Sequence, residues 1–400
     1  MLRKRILFLG GAYAQIPIIR EAKNRNMYVI TCDYFPENPG HKLADEYFNV
    51  STTDLNGVLK LAEKVKPDYV VAYASDPAAP TAAYVSEKLG LPGNSYHSIL
   101  NLAHKHIFRN LLKSNGFNTP RFEVISQDEK VLEKLRGMYY PLIIKPIDSS
   151  GSKGISRINY PNQSLQAIRD AMIFSREKKV IAEEYIDNQI ADIHGDGFVV
   201  NGKLVFTCLG DHIYNGTVNP FNPKGTLWPT KLESKKVNEI VEHVSQIIKL
   251  SGFLNGPVNI EARINIKGEP FVMEIGPRSG GHFVPQAIEL ATGFNMVKAI
   301  LDVLLGKNIE IPNYMVKPVA YYAVHSNFTG FLQSIQIDNE IKPFIWEFHQ
   351  YIQPGEKVNS FTGANAAIGI IVFLFNERKE MDYYLSDIER FINVSVLASK

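Results

Sequence analysis

The sequence predicts an α/β N-terminal domain of the doubly wound type, then an α+β central region of two subdomains, then a small C-terminal domain. Three observations carry this. Short apolar runs alternate with helical patterns over residues 1–94, the signature of a parallel sheet with crossover helices. Beyond Thr119-Pro120 the strands come in pairs joined by turn dipeptides. Beyond Ile311-Pro312 short strands return before a last helix. The expected divisions are 1–94, 95–310 (subdomains at about 118–186 and 187–310) and 311–400.

In chain order, residues 5–9, 28–32 and 69–73 read as strands, and 15–24, 55–64 and 81–89 as helices. Gly90-Leu91-Pro92-Gly93-Asn94 breaks the pattern, and amphipathic segments at 96–103 and 105–115 carry the chain onward. Strand pairs follow at 141–147 with 155–158, at 198–200 with 203–209 across Asn201-Gly202, and at 258–265 with 271–276 across Lys267-Gly268. Asn-Gly between apolar runs is a strong hairpin signal. Residues 211–232 are rich in Gly, Pro and Asn without periodicity, which predicts a lid or binding loop. Residues 381–392 read as a helix.

Composition removes several functions. The 43 basic and 41 acidic residues nearly cancel, which argues against nucleic-acid binding by bulk charge. Two distant cysteines, Cys32 and Cys208, form neither a zinc motif nor a disulfide framework, so a reducing cytoplasm is the expected compartment. The apolar run after Arg3-Lys4-Arg5 is too short for a secretory h-region and ends at Gly10-Gly11, which favours a first strand. No run reaches membrane-spanning length.

The chemistry concentrates in three segments. Pairing across a two-residue turn at Lys267-Gly268 puts Glu261 directly opposite Glu274, with Cβ atoms about 5 Å apart. Facing carboxylates repel unless a cation lies between them, and hard oxygen ligands suit Mg²⁺. The alternative is a solvated surface hairpin. Arg278 follows in Pro277-Arg278-Ser279-Gly280-Gly281-His282, where a guanidinium fork suits a carboxylate or a phosphoryl group. Lys145 sits in an apolar strand, where an ammonium needs an anionic partner. The Gly/Ser loop after it, 148–154, offers backbone N–H groups for phosphates without being a Walker A sequence. Residues 180–187 read as a strand running into a connection whose edge suits an adenine, or as a strand end with exposed acids.

In this order the segments resemble the ATP-grasp superfamily, in particular its carboxylate–amine ligases. They are similar to carbamoyl phosphate synthase large chains, biotin carboxylases and L-amino acid ligases. The likeness implies a pre-ATP-grasp domain, a central ATP-grasp fold gripping ATP and a C-terminal domain. Within it, Lys105 in Ala103-His104-Lys105-His106 and Lys145 look like the two lysines that contact ATP phosphates. Ser149, Ser150, Gly151, Ser152 and Gly154 look like the loop over those phosphates. Glu183-Glu184-Tyr185-Ile186 is similar to the adenine hinge, with Glu183 and the Glu184 carbonyl at the amino group and the Ile186 N–H at the ring. Asp192 matches the ribose-binding acid, Glu261 and Glu274 the ligands of Mg²⁺ (or Mn²⁺), and Arg278 the arginine near the acyl phosphate. The family usually has asparagine two residues after the second glutamate. This chain has Gly276, so a second metal site is expected to be weaker.

The resemblance implies a ligase that joins a small carboxylate to an amine through an acyl phosphate, releasing ADP and phosphate. It is expected to have no nucleic-acid or membrane partner, and a homodimer is left open. Carbamoyl-phosphate-synthase-like or purine-pathway chemistry of the glycinamide ribonucleotide type is the alternative within the fold. A non-catalytic nucleotide-binding protein is the alternative outside it. Gly10-Gly11 and Asp33 superficially suggest a dinucleotide fingerprint, but Gln15 stands where the third glycine belongs. Gly10, Gly11 and Asp33, with Asp211, His212 and His282, are therefore unassigned candidates for substrate contact.

Overall fold

Four parallel strands build the N-terminal layer: β1 (Arg5–Leu9), β2 (Tyr28–Asp33), β3 (Glu46–Asn49) and β4 (Tyr69–Val71), in the order β3-β2-β1-β4. Alternation along β1 sends Ile6 and Phe8 to one face and Leu7 and Leu9 to the other. Ile18 and Ile19 of helix α1 (Ile16–Asn24) pack on the first face. Val58 of α2 (Leu55–Val65) and Ala82 and Val85 of α3 (Ala79–Lys88) pack on the second. Both faces are covered, as a doubly wound sheet requires. Strand β3 escaped the sequence reading because its Glu-Tyr-Phe-Asn run is short, polar at both ends and lies at the edge. Helices α4 (Tyr96–Ala103) and α5 (Lys105–Ser114) lead out of this layer. The computed structural model describes residues 3–398 apart from 128, 129, 150, 189 and 215.

A four-stranded antiparallel sheet comes next, from β5 (Phe122–Ser126), β6 (Leu142–Pro146), β7 (Ser156–Ile158) and β8 (Lys179–Glu184), ordered β5-β8-β6-β7. A larger antiparallel sheet follows, from β9 (Ala191–Val200), β10 (Lys203–Tyr214), β11 (Pro223–Trp228), β12 (Gly256–Ile264), β13 (Pro270–Gly276) and β14 (Val319–Val324). The chain end supplies β15 (Gly330–Ile337), β16 (Ile345–Gln350), β17 (Lys357–Val358), β18 (Gly369–Leu374) and β19 (Ile392–Ala398). The large sheet has eight strands, β13-β12-β9-β10-β11-β14-β18-β16, and β17-β15-β19 form a small one. Asn201 and Gly202 take φ of 49° and 74°, which only a primed turn asks of both central residues, so the predicted hairpin forms.

Two segments differ from expectation. Residues 211–232 are not one long loop. β10 runs on to Tyr214, and β11 pairs with β10 on one side and β14 on the other. A strand flanked on both sides and buried from Gly225 to Trp228 shows no alternation, so its composition disguised it. The predicted helix at 381–392 is two helices, Arg378–Ser386 and Ile388–Phe391, broken at Asp387, before β19. The large sheet also crosses the division expected at residue 310, since β14, β18 and β16 continue it without interruption.

What joins these layers near their common cavity is a buried charge cluster. Helix α5 carries its inward stripe at 105, 108, 109 and 112, so Arg109 points into the interior with Phe108 and Leu112 and is only 1% exposed. Its Nε donates to Glu183 Oε1 at 2.7 Å and its Nη1 to the Met273 carbonyl at 2.8 Å. Lys145 Nζ lies 2.7 Å from Glu183 Oε2. One carboxylate on β8 thus holds a cation from α5 and another from β6. Burial works to raise the Glu183 pKa, but Arg109 and then Lys145 hold it down at about 2. Burial draws the Lys145 ammonium below the usual lysine range; Glu183 opposes this, while Arg109 and Lys105 add to it.

A Glu183→Gln substitution leaves two buried cations short of an anion, and at neutral pH it is expected to destabilise the protein by about 3–5 kcal/mol. Because the folded pKa of about 2 lies below the ordinary 4.5, the stabilisation is fully present above pH 4.5 and is lost as pH falls through about 2. Urea midpoints measured across that range should converge for wild type and variant toward low pH. A constant gap would contradict the ion-paired state of Glu183.

Candidate functional site

The two faces of the large sheet differ: Val258, Ile260 and Ala262 of β12 share an apolar core with Phe108 and Leu112 of α5, while the face turned to the Gly/Ser loop is polar. Antiparallel register sets Asn259, Glu261 and Arg263 of β12 opposite Asp196, His194 and Asp192 of β9, all pointing one way. His212 and Tyr214 extend this face on β10. Above it lies a cavity of about 340 Å³, walled by β6, β8, Ser149 and Gly151–Lys153 of the Gly/Ser loop, the sheet face and the loop after β13, with Ala74 and Asp76 reaching in from the N-terminal layer.

Glu261 and Glu274 stand directly opposite each other at this cavity, but not by the route the sequence suggested. The turn is one residue longer than expected. Asn265 pairs with Glu269 around Ile266-Lys267-Gly268, and Gly268 takes φ 76°. That alone would slip the register by one. A β-bulge at Met273, between the Glu261–Glu274 and Ala262–Val272 pairs, absorbs the extra residue and restores the opposition. Burial first, then Glu274 and Asp192, push the Glu261 pKa up to about 7. Two hard-oxygen donors whose shared charge is this costly fit a divalent cation. Among the described residues no group of three or more His, Cys, Asp or Glu is arranged to hold a metal by itself.

Three cations face the carboxylates. Lys105 is the first residue of α5, where the helix dipole disfavours a positive charge. Its Nζ bonds the Ser149 carbonyl at 2.8 Å and lies 3.9 Å from Glu274 Oε2. Lys145 rests on Glu183 as described. Arg278 forks onto Asp76 through Nε and Nη2. The loop that carries Arg278 is tied down by buried Asp196, which accepts from the Gly280 N–H at 2.8 Å and from Asn259 Nδ2 at 2.7 Å. Ser149, Gly151 and Ser152 line the cavity, and Ser152 Oγ donates to the Phe221 carbonyl, so residues 219–222 close over the loop. Ser150 lies outside the described residues.

Glu184, Ile186 and Asp192 also line the cavity, the last paired to Arg263 at 3.1 Å. Glu183 lines the cavity too, with its carboxylate, expected at an adenine, bonded to Arg109 and Lys145. Other candidates are placed differently. Tyr185 lies under the Arg157 guanidinium, 4.4 Å away, and Gly154 is packed against Phe174; neither reaches the cavity. Gly10, Gly11 and Asp33 are also absent from its walls, because the His41 ring fills the space beside Gly11 and Asp33 bonds Phe35 N–H and Asn38. Asp211 is turned to the opposite face, where it holds Arg378 and Thr230. His212 and His282 do line the cavity, His212 stacked on His194 at 4.2 Å. His194 Nε2 accepts from Asn259, so its Nδ1–H donates to Thr226. Burial first, with His212, Arg278 and His282 close by, holds the His194 pKa well below the usual histidine value.

Arg109, Asp76 and His194 went unread in the sequence. For Arg109 a signal existed, since it shares the buried stripe with Lys105, Phe108 and Leu112. Asp76 sits in an irregular loop after β4 and gives none.

Comparison with known proteins agrees with this architecture. The ATP-grasp domain family model matches residues 138–286. The large chain of carbamoyl phosphate synthase from Thermoanaerobacter sp. (strain X514) is 26% identical over 295 residues, 73% of this chain and 26% of that one, so this chain spans about a quarter of its length. Formate-dependent phosphoribosylglycinamide formyltransferase from Prochlorococcus marinus (strain MIT 9515) is 24% identical over 361 residues, 84% of this chain and 87% of that one. Among solved structures, L-amino acid ligase from Bacillus licheniformis superposes with a TM-score of 0.83 at 20% identity, covering 99% of this chain and 100% of that one. Phosphoribosylglycinamide synthetase from Anaerococcus prevotii gives 0.76 at 19% identity, with 99% and 100% covered. Residues 138–286 form an ATP-grasp domain, and the chain as a whole shares the fold of these two solved structures over 99% of its length.

Proposed function

We propose that the protein is an ATP- and Mg²⁺-dependent ligase that activates a small carboxylate as an acyl phosphate and joins it to an amine. The observation that carries this reading is one cavity holding two facing carboxylates, Glu261 and Glu274, beside three cations, Lys105, Lys145 and Arg278. Such a set suits a polyphosphate with its metal ion rather than a neutral ligand. Glu261 and Glu274 would hold Mg²⁺ (or Mn²⁺), which when bound supplies charge neutralisation at the phosphate oxygens. Lys105 and Lys145 bind the phosphates, and Lys145 stays oriented because Glu183 fixes its ammonium from behind. Asp192 accepts from the ribose, and the backbone at Glu184 and Ile186 meets the base. Arg278 holds the carboxylate and the transferring phosphoryl group, where its charge matches the charge that develops. Ser149, Gly151 and Ser152, with the overlying 219–222 segment, exclude water from the reactive anhydride. No nucleophilic side chain is called for, since positioning and electrostatics supply the catalysis.

Length-matched likeness to the formate-dependent formyltransferase and to phosphoribosylglycinamide synthetase supports a second reading. In it the carboxylate is formate or glycine and the partner a ribonucleotide. A panel of the common amino acids, formate and bicarbonate separates the two.

Glu274→Ala should abolish Mg²⁺-dependent turnover, by about 10³-fold or more, without lowering the metal-free melting temperature, because it relieves a like-charge pair. Wild-type kinetics in that variant would remove the metal from Glu261 and Glu274. The products of a working carboxylate should be ADP and phosphate, and hydroxylamine in place of the amine should yield a hydroxamate only with ATP and Mg²⁺. Detection of AMP and pyrophosphate would refute acyl phosphate formation.

A further inference from the structure

Arg278 is bound across a layer boundary. It follows β13 on the central sheet, while Asp76 follows β4 of the N-terminal sheet, at the C-terminal strand ends where open α/β sheets meet their ligands. The contact is bidentate, Nε to Oδ1 at 2.6 Å and Nη2 to Oδ2 at 2.5 Å, with the side chains only 11% and 24% exposed. Nη1 donates to the Ser279 carbonyl at 2.9 Å. Three of the five guanidinium N–H groups are thereby used, which leaves one on each terminal nitrogen. Two further features favour this contact. Ala74 holds φ 51°, uncommon for a residue with a Cβ, in the turn that delivers Asp76. Gly276 leaves the space open, since a Cβ there would stand 2.9 Å from Asp76 Oδ1.

We infer that Asp76 is a positioning residue: it fixes the plane of the Arg278 guanidinium so that its two remaining N–H groups point at the reacting oxygens, and Gly276 is the vacancy that lets it do so. The absent side chain at 276 is then a gain as well as a loss. The space a metal-binding asparagine would fill holds instead the anchor of an arginine. The inference rests on the ligase reading for what Arg278 acts upon, but not for the clamp itself.

Asp76→Asn breaks the fork, and Gly276→Ala displaces the Asp76 carboxylate, the movable end of a side chain. Phenylglyoxal modification at Arg278, followed by peptide mass spectrometry, should be at least about fivefold faster in both variants. Isothermal titration with ADP and Mg²⁺ should give affinities within about twofold of wild type. With a carboxylate from the panel, kcat should fall about tenfold or more while KM does not rise, since a freed guanidinium still attracts an anion. Asp76→Glu should recover part of kcat. The double variant should be no worse than Asp76→Asn alone, because both changes remove one contact. Unchanged modification in both single variants overturns the clamp. Faster modification with unchanged kcat overturns its positioning role, as does a joint loss of ADP affinity and thermal stability, which marks a merely structural pair. If wild type turns over with no carboxylate on the panel, the ligase reading fails, and the modification rates alone decide the clamp.

Discussion

A single buried carboxylate organises the site. Glu183 has Arg109 on one oxygen and Lys145 on the other, and no member of the cluster could be buried in its charged form without the rest. Because Arg109 comes from α5, Lys145 from β6 and Glu183 from β8, the electrostatic requirement fixes where these elements meet. The cluster carries an excess positive charge on the cavity side. Burial, with Arg109 and Lys105 nearby, draws the Lys145 ammonium below the usual lysine range against the pull of Glu183. An anion in the cavity would offset that imbalance.

Much of the fold was legible because hydrophobic periodicity reports burial. The parallel N-terminal sheet, the Asn201-Gly202 hairpin and the paired strands β6 and β7 each announced themselves through alternation or turn chemistry. What stayed hidden has a common cause. β11 is buried between two strands, and a segment wet on neither face displays no period. The crossing of β14, β18 and β16 into the central sheet is invisible for a related reason, since strand neighbours distant in sequence leave no local mark. The candidate site shows the same division. Lys145 could be found because a charge in an apolar strand is an anomaly, and the glutamate pair because pairing across the turn at Lys267-Gly268 set the two opposite, although the turn is one residue longer and a bulge restores the register. Asp76 could not, because its importance lies in what it touches across a layer boundary.

The cavity is closed by pieces from every part of the chain. Ser152 bonds the Phe221 carbonyl, Asn219 bonds the Thr362 carbonyl, and His282 bonds the Ala364 carbonyl. The segment at 361–364 therefore backs the Gly/Ser loop from the C-terminal side while Asp76 reaches in from the N-terminal one. No single layer contains a complete site, so the arrangement of the layers is itself part of the chemistry.

The bulge at Met273 separates two jobs that one hairpin would otherwise combine. Its carbonyl is gripped by Arg109, so the irregularity is pinned to the charge cluster rather than left to the turn. Glu261 and Glu274 take their opposition from that pin, and the tip at Ile266-Lys267-Gly268 is left without responsibility for it. An exchange of side chain at Ile266 or Lys267 alters the exposed end of the hairpin without reaching that pin, and the two carboxylates keep their station.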